Sequence, residues 1–156
     1  MDIITLLSPE RIACNQGLHS KKRAFEKLAQ LLAIGQNQVS QAEIFDALIN
    51  REKLGCTALG GGIAIPHAGL SIGQARAAIL SLNEGIELDA PDKKPVKFLI
   101  AILLPESMSA SNINMLQELT TLPYNKPFIA SLCHYQDPSV LIDYFHTFYD
   151  KPRIAA

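Results

Sequence analysis

The sequence predicts an α/β fold, a central sheet covered by helices on both faces. Three observations predict it. Residues 20–54 place apolar side chains at helical spacing, residues 98–104 read Phe-Leu-Ile-Ala-Ile-Leu-Leu without a polar break, and helical patterns return over the last third of the chain. An unbroken apolar run is what a strand buried on both faces requires. Helices before and after the strands then supply a layer for each face.

The first helix is expected over residues 20–34, where Ala24, Phe25, Leu28, Leu31 and Leu32 share one face and Gly35 follows as a C-terminal cap. A second starts at Ser40, with Glu43 three residues on completing a capping box, and ends near Leu54 and Gly55. Ile44, Ala47 and Leu48 form its apolar face, which leaves Arg51 and Glu52 near its C-terminal end. Residues 55–62 (Gly-Cys-Thr-Ala-Leu-Gly-Gly-Gly) are expected as a loop, and residues 63–66 (Ile-Ala-Ile-Pro) as a short strand whose end presents His67. Ile65 is held extended by the proline after it. Buried strands are expected over 75–82 and 96–104, with turns between them at Gly85 and at 89–92. Helices over 111–122, 126–133 and 137–149 complete the order.

A chain of 156 residues fits one domain, taken as 1–156, able to bury roughly 70% of its unfolded surface without a staple. A formal net charge of −1 argues against a general nucleic-acid binder, which needs a basic face. The first residues carry no basic leader, and residues 98–104 fall far short of the ~20 apolar residues of a membrane helix. The three cysteines, Cys14, Cys56 and Cys133, are widely spaced and form no CxxC pair. Free thiols in a reducing cytoplasm, with no metal and no cofactor, are the expectation.

His67 stands out among the four histidines because it follows a proline at a strand's end, a few residues after the glycine run. An imidazole with an ordinary pKa of ~6.5 is mostly neutral at pH 7, and its free nitrogen is a usable nucleophile toward phosphorus. A phosphoryl group on that nitrogen needs donors for three oxygens. Arg51 suits the task through paired N–H bonds, and the Thr57 hydroxyl and the backbone N–H groups of Gly60 to Gly62 are further candidates. No Walker lysine follows the glycines.

Residues 51–68 read Arg-Glu-Lys-Leu-Gly-Cys-Thr-Ala-Leu-Gly-Gly-Gly-Ile-Ala-Ile-Pro-His-Ala. This run resembles the active-site signature of the fructose/mannitol-class enzyme IIA domains of the bacterial phosphoenolpyruvate-dependent phosphotransferase system. Within that class the chain is most similar to the nitrogen-regulatory type. The likeness extends over nearly the whole chain, including Gly85 to Asp92, Pro95-Val96 and the strand ending Leu104-Pro105-Glu106. It implies a mixed sheet in a three-layer sandwich and a phosphoryl acceptor at His67, with Arg51 and the loop's Ser/Thr pair beside it. Cys56 stands at the first position of that pair and Thr57 keeps the second. Many members carry a second histidine where this chain has Asn112, which can donate a hydrogen bond but cannot become cationic. A slower or less stable adduct is expected. The implied donor is an HPr-like phosphohistidine carrier. The implied output is phosphorylation-dependent binding of regulatory target proteins, with transfer to a IIB domain for sugar uptake, or a binding-only role with impaired transfer, as alternatives.

Overall fold

Serines begin both N-terminal helices. Ser20 accepts the Arg23 N–H at the head of α1 (Lys21–Ala33), and Ser40 closes a full capping box with Glu43 on α2 (Gln41–Leu54). The structure, a computed structural model, describes residues 3–149. Its strands are β1 (Ile12–Gln16), β2 (Ala58–Gly60), β3 (Ile63–Ala64), β4 (His67–Leu70), β5 (Arg76–Ile86) and β6 (Val96–Pro105). They form one sheet in the order β1-β5-β6-β3-β2, with β4 also paired to β6. β1 runs parallel to β5, β3 and β4 run parallel to β6, and the β5–β6 and β2–β3 pairs are antiparallel, so the sheet is mixed.

The apolar run of β6 divides between two cores at the strand period of two. Phe98, Ile100, Ile102 and Leu104 face α3 (Ala110–Leu119), α4 (Lys126–Leu132) and α5 (Pro138–Tyr149), packing with Met115, Leu119, Phe128, Leu132 and Phe145. Leu99, Ala101 and Leu103 face the other way, onto Phe25, Leu28 and Leu32 of α1 and Ile44 and Leu48 of α2. Both faces are therefore covered, and the architecture is the expected three-layer sandwich. The aromatic C-terminal stretch belongs to the first core: Phe128 stacks on Phe148 at 4.1 Å and meets Phe145 edge-on at 5.4 Å between centroids.

Two local expectations are corrected, and one strand is added. Residues 55–62 are not all loop: 58–60 pair with β3 as a hairpin, turned by Gly61 and Gly62 at φ 66° and 80°. Glycine takes such angles without the strain a Cβ brings. Gly85 is not a turn but lies inside β5, where a Cβ would collide with the Pro95 ring. β1, not expected from the sequence, forms an edge of the sheet. Among the described residues no helix is long and apolar enough to cross a membrane.

Candidate functional site

His67 is the first residue of β4, and its setting comes from a break in the sheet edge. β3 pairs with β6 as Ile63 to Phe98 and Ala64 to Leu99, and β4 resumes the same register with His67 to Ile102. Ile65 and Pro66 thus interrupt one edge without changing its partner. The proline has no N–H to give, so only its carbonyl joins the ladder, accepting from Ile102 N at 2.9 Å. The Ile65 N–H donates to the Thr57 carbonyl at 3.0 Å, and the Ile65 carbonyl lies 2.8 Å from His67 Nδ1.

A carbonyl oxygen only accepts, so Nδ1 carries the proton and the lone pair sits on Nε2. Burial lowers the His67 pKa, and the neighbouring Arg51 charge lowers it further; the bond to Ile65 and the Glu52 carboxylate oppose the shift without reversing it. The ring is accordingly neutral around pH 7.

Arg51 stands in the last turn of α2, where one Nη1 proton is donated to the Gly55 carbonyl at 2.9 Å. That bond anchors the guanidinium and leaves its other N–H groups available. Glu52 next to it is buried, its Oε1 accepting the Thr57 N–H at 3.0 Å and its Oε2 the Thr57 hydroxyl at 2.7 Å. The Cys56 thiol donates to the Leu88 carbonyl at 2.7 Å. Arg51, Cys56, Thr57, Leu59, Ile65 and His67 meet Leu116 of α3 and Thr120, the residue that caps its C-terminus, around a cleft of about 160 Å³.

The cleft brings His67, Arg51 and Thr57 together, with a correction to the role expected of Thr57. Its one hydroxyl proton goes to Glu52, so it braces the loop against α2 instead of offering a donor to the cleft. The glycine N–H groups are corrected more fully: Gly61 N donates to Asp92 Oδ2 at 2.9 Å, and Gly61 and Gly62 line a different cavity with Lys94, Lys97 and His134. Asn112 is buried one turn before Leu116 and is not among the cleft-lining side chains. Its Oδ1 accepts the Ser109 N–H at 3.1 Å in a capping box on α3. Glu52 was not singled out from the sequence. Its only signal was a carboxylate five residues before a threonine, across a helix end.

A protonated Nδ1 tied to a carbonyl, an unprotonated Nε2 and an anchored guanidinium around one cleft place a nucleophile beside a group able to bind an anion. Residues 5–147 match the family described as phosphoenolpyruvate-dependent sugar phosphotransferase system, EIIA 2, and the chain belongs to that family. It is 37% identical over 118 residues to a nitrogen regulatory protein of Pseudomonas aeruginosa, covering 75% of this chain and 77% of that one. It is 34% identical over 121 residues to a fructose-specific EIIA component of Haloferax volcanii, covering 76% and 78%. Nitrogen regulatory protein IIA-Ntr from Neisseria meningitidis superposes at a TM-score of 0.85 with 33% identity, over 91% of this chain and 97% of that one.

Proposed function

We propose that the protein is a cytoplasmic regulatory phosphocarrier. His67 takes a phosphoryl group from the phosphohistidine of an HPr-like protein, and its phosphorylation state then governs which target proteins it binds. The Nε2 lone pair attacks phosphorus, the donor's N–P bond breaks with its electron pair returning to the donor imidazole, and a P–Nε2 bond forms. The Nδ1 proton stays in its bond to Ile65, so the ring becomes cationic as the phosphoryl group arrives. The Glu52 carboxylate favours that charge, and Arg51 takes the phosphoryl oxygens. Thr57 holds the loop in place, and Asn112 starts α3, which reaches the cleft through Leu116.

The observation that carries this reading is the Nδ1–Ile65 bond, which leaves Nε2 unprotonated beside Arg51. Adding about two negative charges at one surface cleft is enough to make or break a protein interface. A sugar-uptake role, passing phosphate to a IIB domain, is favoured by the likeness to a fructose-specific EIIA component. Incubation with phosphorylated HPr-type donor, followed by mass spectrometry under alkaline conditions, tests the carrier reading. An adduct absent from His67→Ala supports it, and no adduct on the wild type leaves only a binding role. Adding candidate IIB domains separates the two outputs.

A further inference from the structure

A second cleft, of about 470 Å³, lies apart from His67 and shares no lining residue with its site. Arg11, just before β1, and Arg76, the first residue of β5, both line it. Each guanidinium is fixed by backbone carbonyls. Arg11 donates from Nε to Ala77 O at 3.1 Å and from Nη2 to Leu6 O at 2.8 Å, and Arg76 donates from Nη1 to Leu32 O at 3.0 Å. Both are partly buried, and each still has N–H groups without an acceptor among the described residues.

Two guanidinium groups in one cleft repel. Burial and the Arg76 charge both weaken the hold of Arg11 on its proton, an unfavourable arrangement that a bound anion relieves. Among the described residues no carboxylate lies within 4.0 Å of either guanidinium. Glu10 acts on both only through space and is fully exposed, with Ser8 hydrogen bonded to it. The rest of the lining is amide and small: Gln38 has its Oε1 on the Gly73 N–H at 3.0 Å, which leaves its NH₂ group as a further donor. Gly35, at φ 79°, lies beside the Arg76 fork.

We propose that the Arg11–Arg76 cleft binds a small oxyanion, a carboxylate or phosphate group with two or more acceptor oxygens, as an effector site separate from the phosphoryl acceptor. Two planar forks fixed by the backbone lose little freedom when they take paired oxygens, which lysines on flexible stems do not match. The proposal does not depend on the carrier reading.

The test is a backbone-amide NMR titration of the whole protein with inorganic phosphate and, separately, with succinate, against sodium chloride at matched ionic strength. Saturating shifts are expected at the amides of Gly35, Gly73, Ala75 and Arg76. Arg76→Gln is expected to weaken the affinity at least tenfold, and Arg51→Gln to leave it within twofold. The stronger of the two anions tells phosphate from carboxylate as the natural group. Arg11→Lys keeps the charge without the fork and is expected to weaken binding severalfold, which serves if Arg76→Gln does not fold. Shifts that rise linearly as with chloride, shifts confined to the His67 cleft, or an affinity unchanged in both arginine variants would overturn the proposal.

Discussion

Glu52 holds Thr57 by two bonds at once, taking its N–H at 3.0 Å and its hydroxyl at 2.7 Å inside a buried corner beside Arg51. A buried carboxylate whose partner is removed costs more than the bond it loses, because its own desolvation is left uncompensated. Thr57→Val is therefore expected to destabilise the fold by about 1–3 kcal/mol, read as a lower urea midpoint at unchanged slope. Thr57→Ser, which keeps the hydroxyl, is expected to stay near wild type in both stability and phosphoryl acceptance. A wild-type midpoint for the valine variant would mean the carboxylate does not depend on this pair.

The direction of the His67 shift fixes a pH dependence. Its folded pKa lies below the ~6.5 of an unfolded chain. Between those two values the unfolded state binds more protons, so stability falls as pH drops through that window and is level above it. His67→Gln is expected to flatten this part of the acid limb in denaturation measured from pH 7 to pH 5. Phosphoryl acceptance follows the unprotonated ring, so its rate is expected to fall on the same acid side, with a midpoint below 6.5. Arg51→Gln removes one of the two influences that lower the value, so the imidazole midpoint in an NMR titration is expected to rise.

Arg51 gives a rate prediction. Lysine at this position keeps the charge and loses the fork that both anchors on Gly55 and offers paired donors. With a charge-assisted bond at about 1.5–3 kcal/mol and tenfold in rate per about 1.4 kcal/mol, Arg51→Lys is expected to slow adduct formation by about ten- to a hundredfold. Its urea midpoint is expected to move little, because the side chain is not in the core. Equal rates for the two proteins would remove Arg51 from the chemistry.

Helix starts, apolar faces and the long central strand were legible because they depend on neighbours in sequence: Ser40 with Glu43, or the alternation along β6. What was not legible depends on distant partners. β1 is a strand because Ile12 and Ala13 find Ile79 and Leu80, and five residues with one buried side chain give little signal of that. The acceptor position was legible from its proline and strand, while the roles around it were not. The Thr57 hydroxyl was expected in the cleft but turns to Glu52, and the glycine N–H groups sit at a hairpin tip held by Asp92. Residue type told which groups can donate, and only the fold tells where the donor points.

Gly85 shows the same dependence on a distant neighbour and can be tested by one methyl group. Its Cβ position is filled by the ring of Pro95, the residue just before β6, at the irregular stretch of the β5–β6 ladder between Ser81 and Ile86. Overpacking of this kind costs about 1–3 kcal/mol. Gly85→Ala is expected to lower the urea midpoint accordingly, and Pro95→Ala in the same chain to recover part of the loss. No recovery would mean the loss does not come from the contact with Pro95.

Asn112 separates stability from chemistry in the site's surroundings. Its Oδ1 takes the Ser109 N–H while Ser109 Oγ takes its own, the reciprocal bonds that start α3. Asn112→Ala deletes one of them and is expected to cost about 0.5–2 kcal/mol, with Asn112→Gln retaining most of it because glutamine serves the same capping position. Leu116 of α3 and Thr120 at its C-terminal cap line the His67 cleft, so loosening the head of the helix reaches the site through their placement. Asn112→His adds a group able to become cationic near that helix start. It is expected to change the rate or lifetime of the phosphohistidine adduct beyond what Asn112→Ala does at equal stability. Indistinguishable adduct kinetics in the two variants would confine Asn112 to holding the helix.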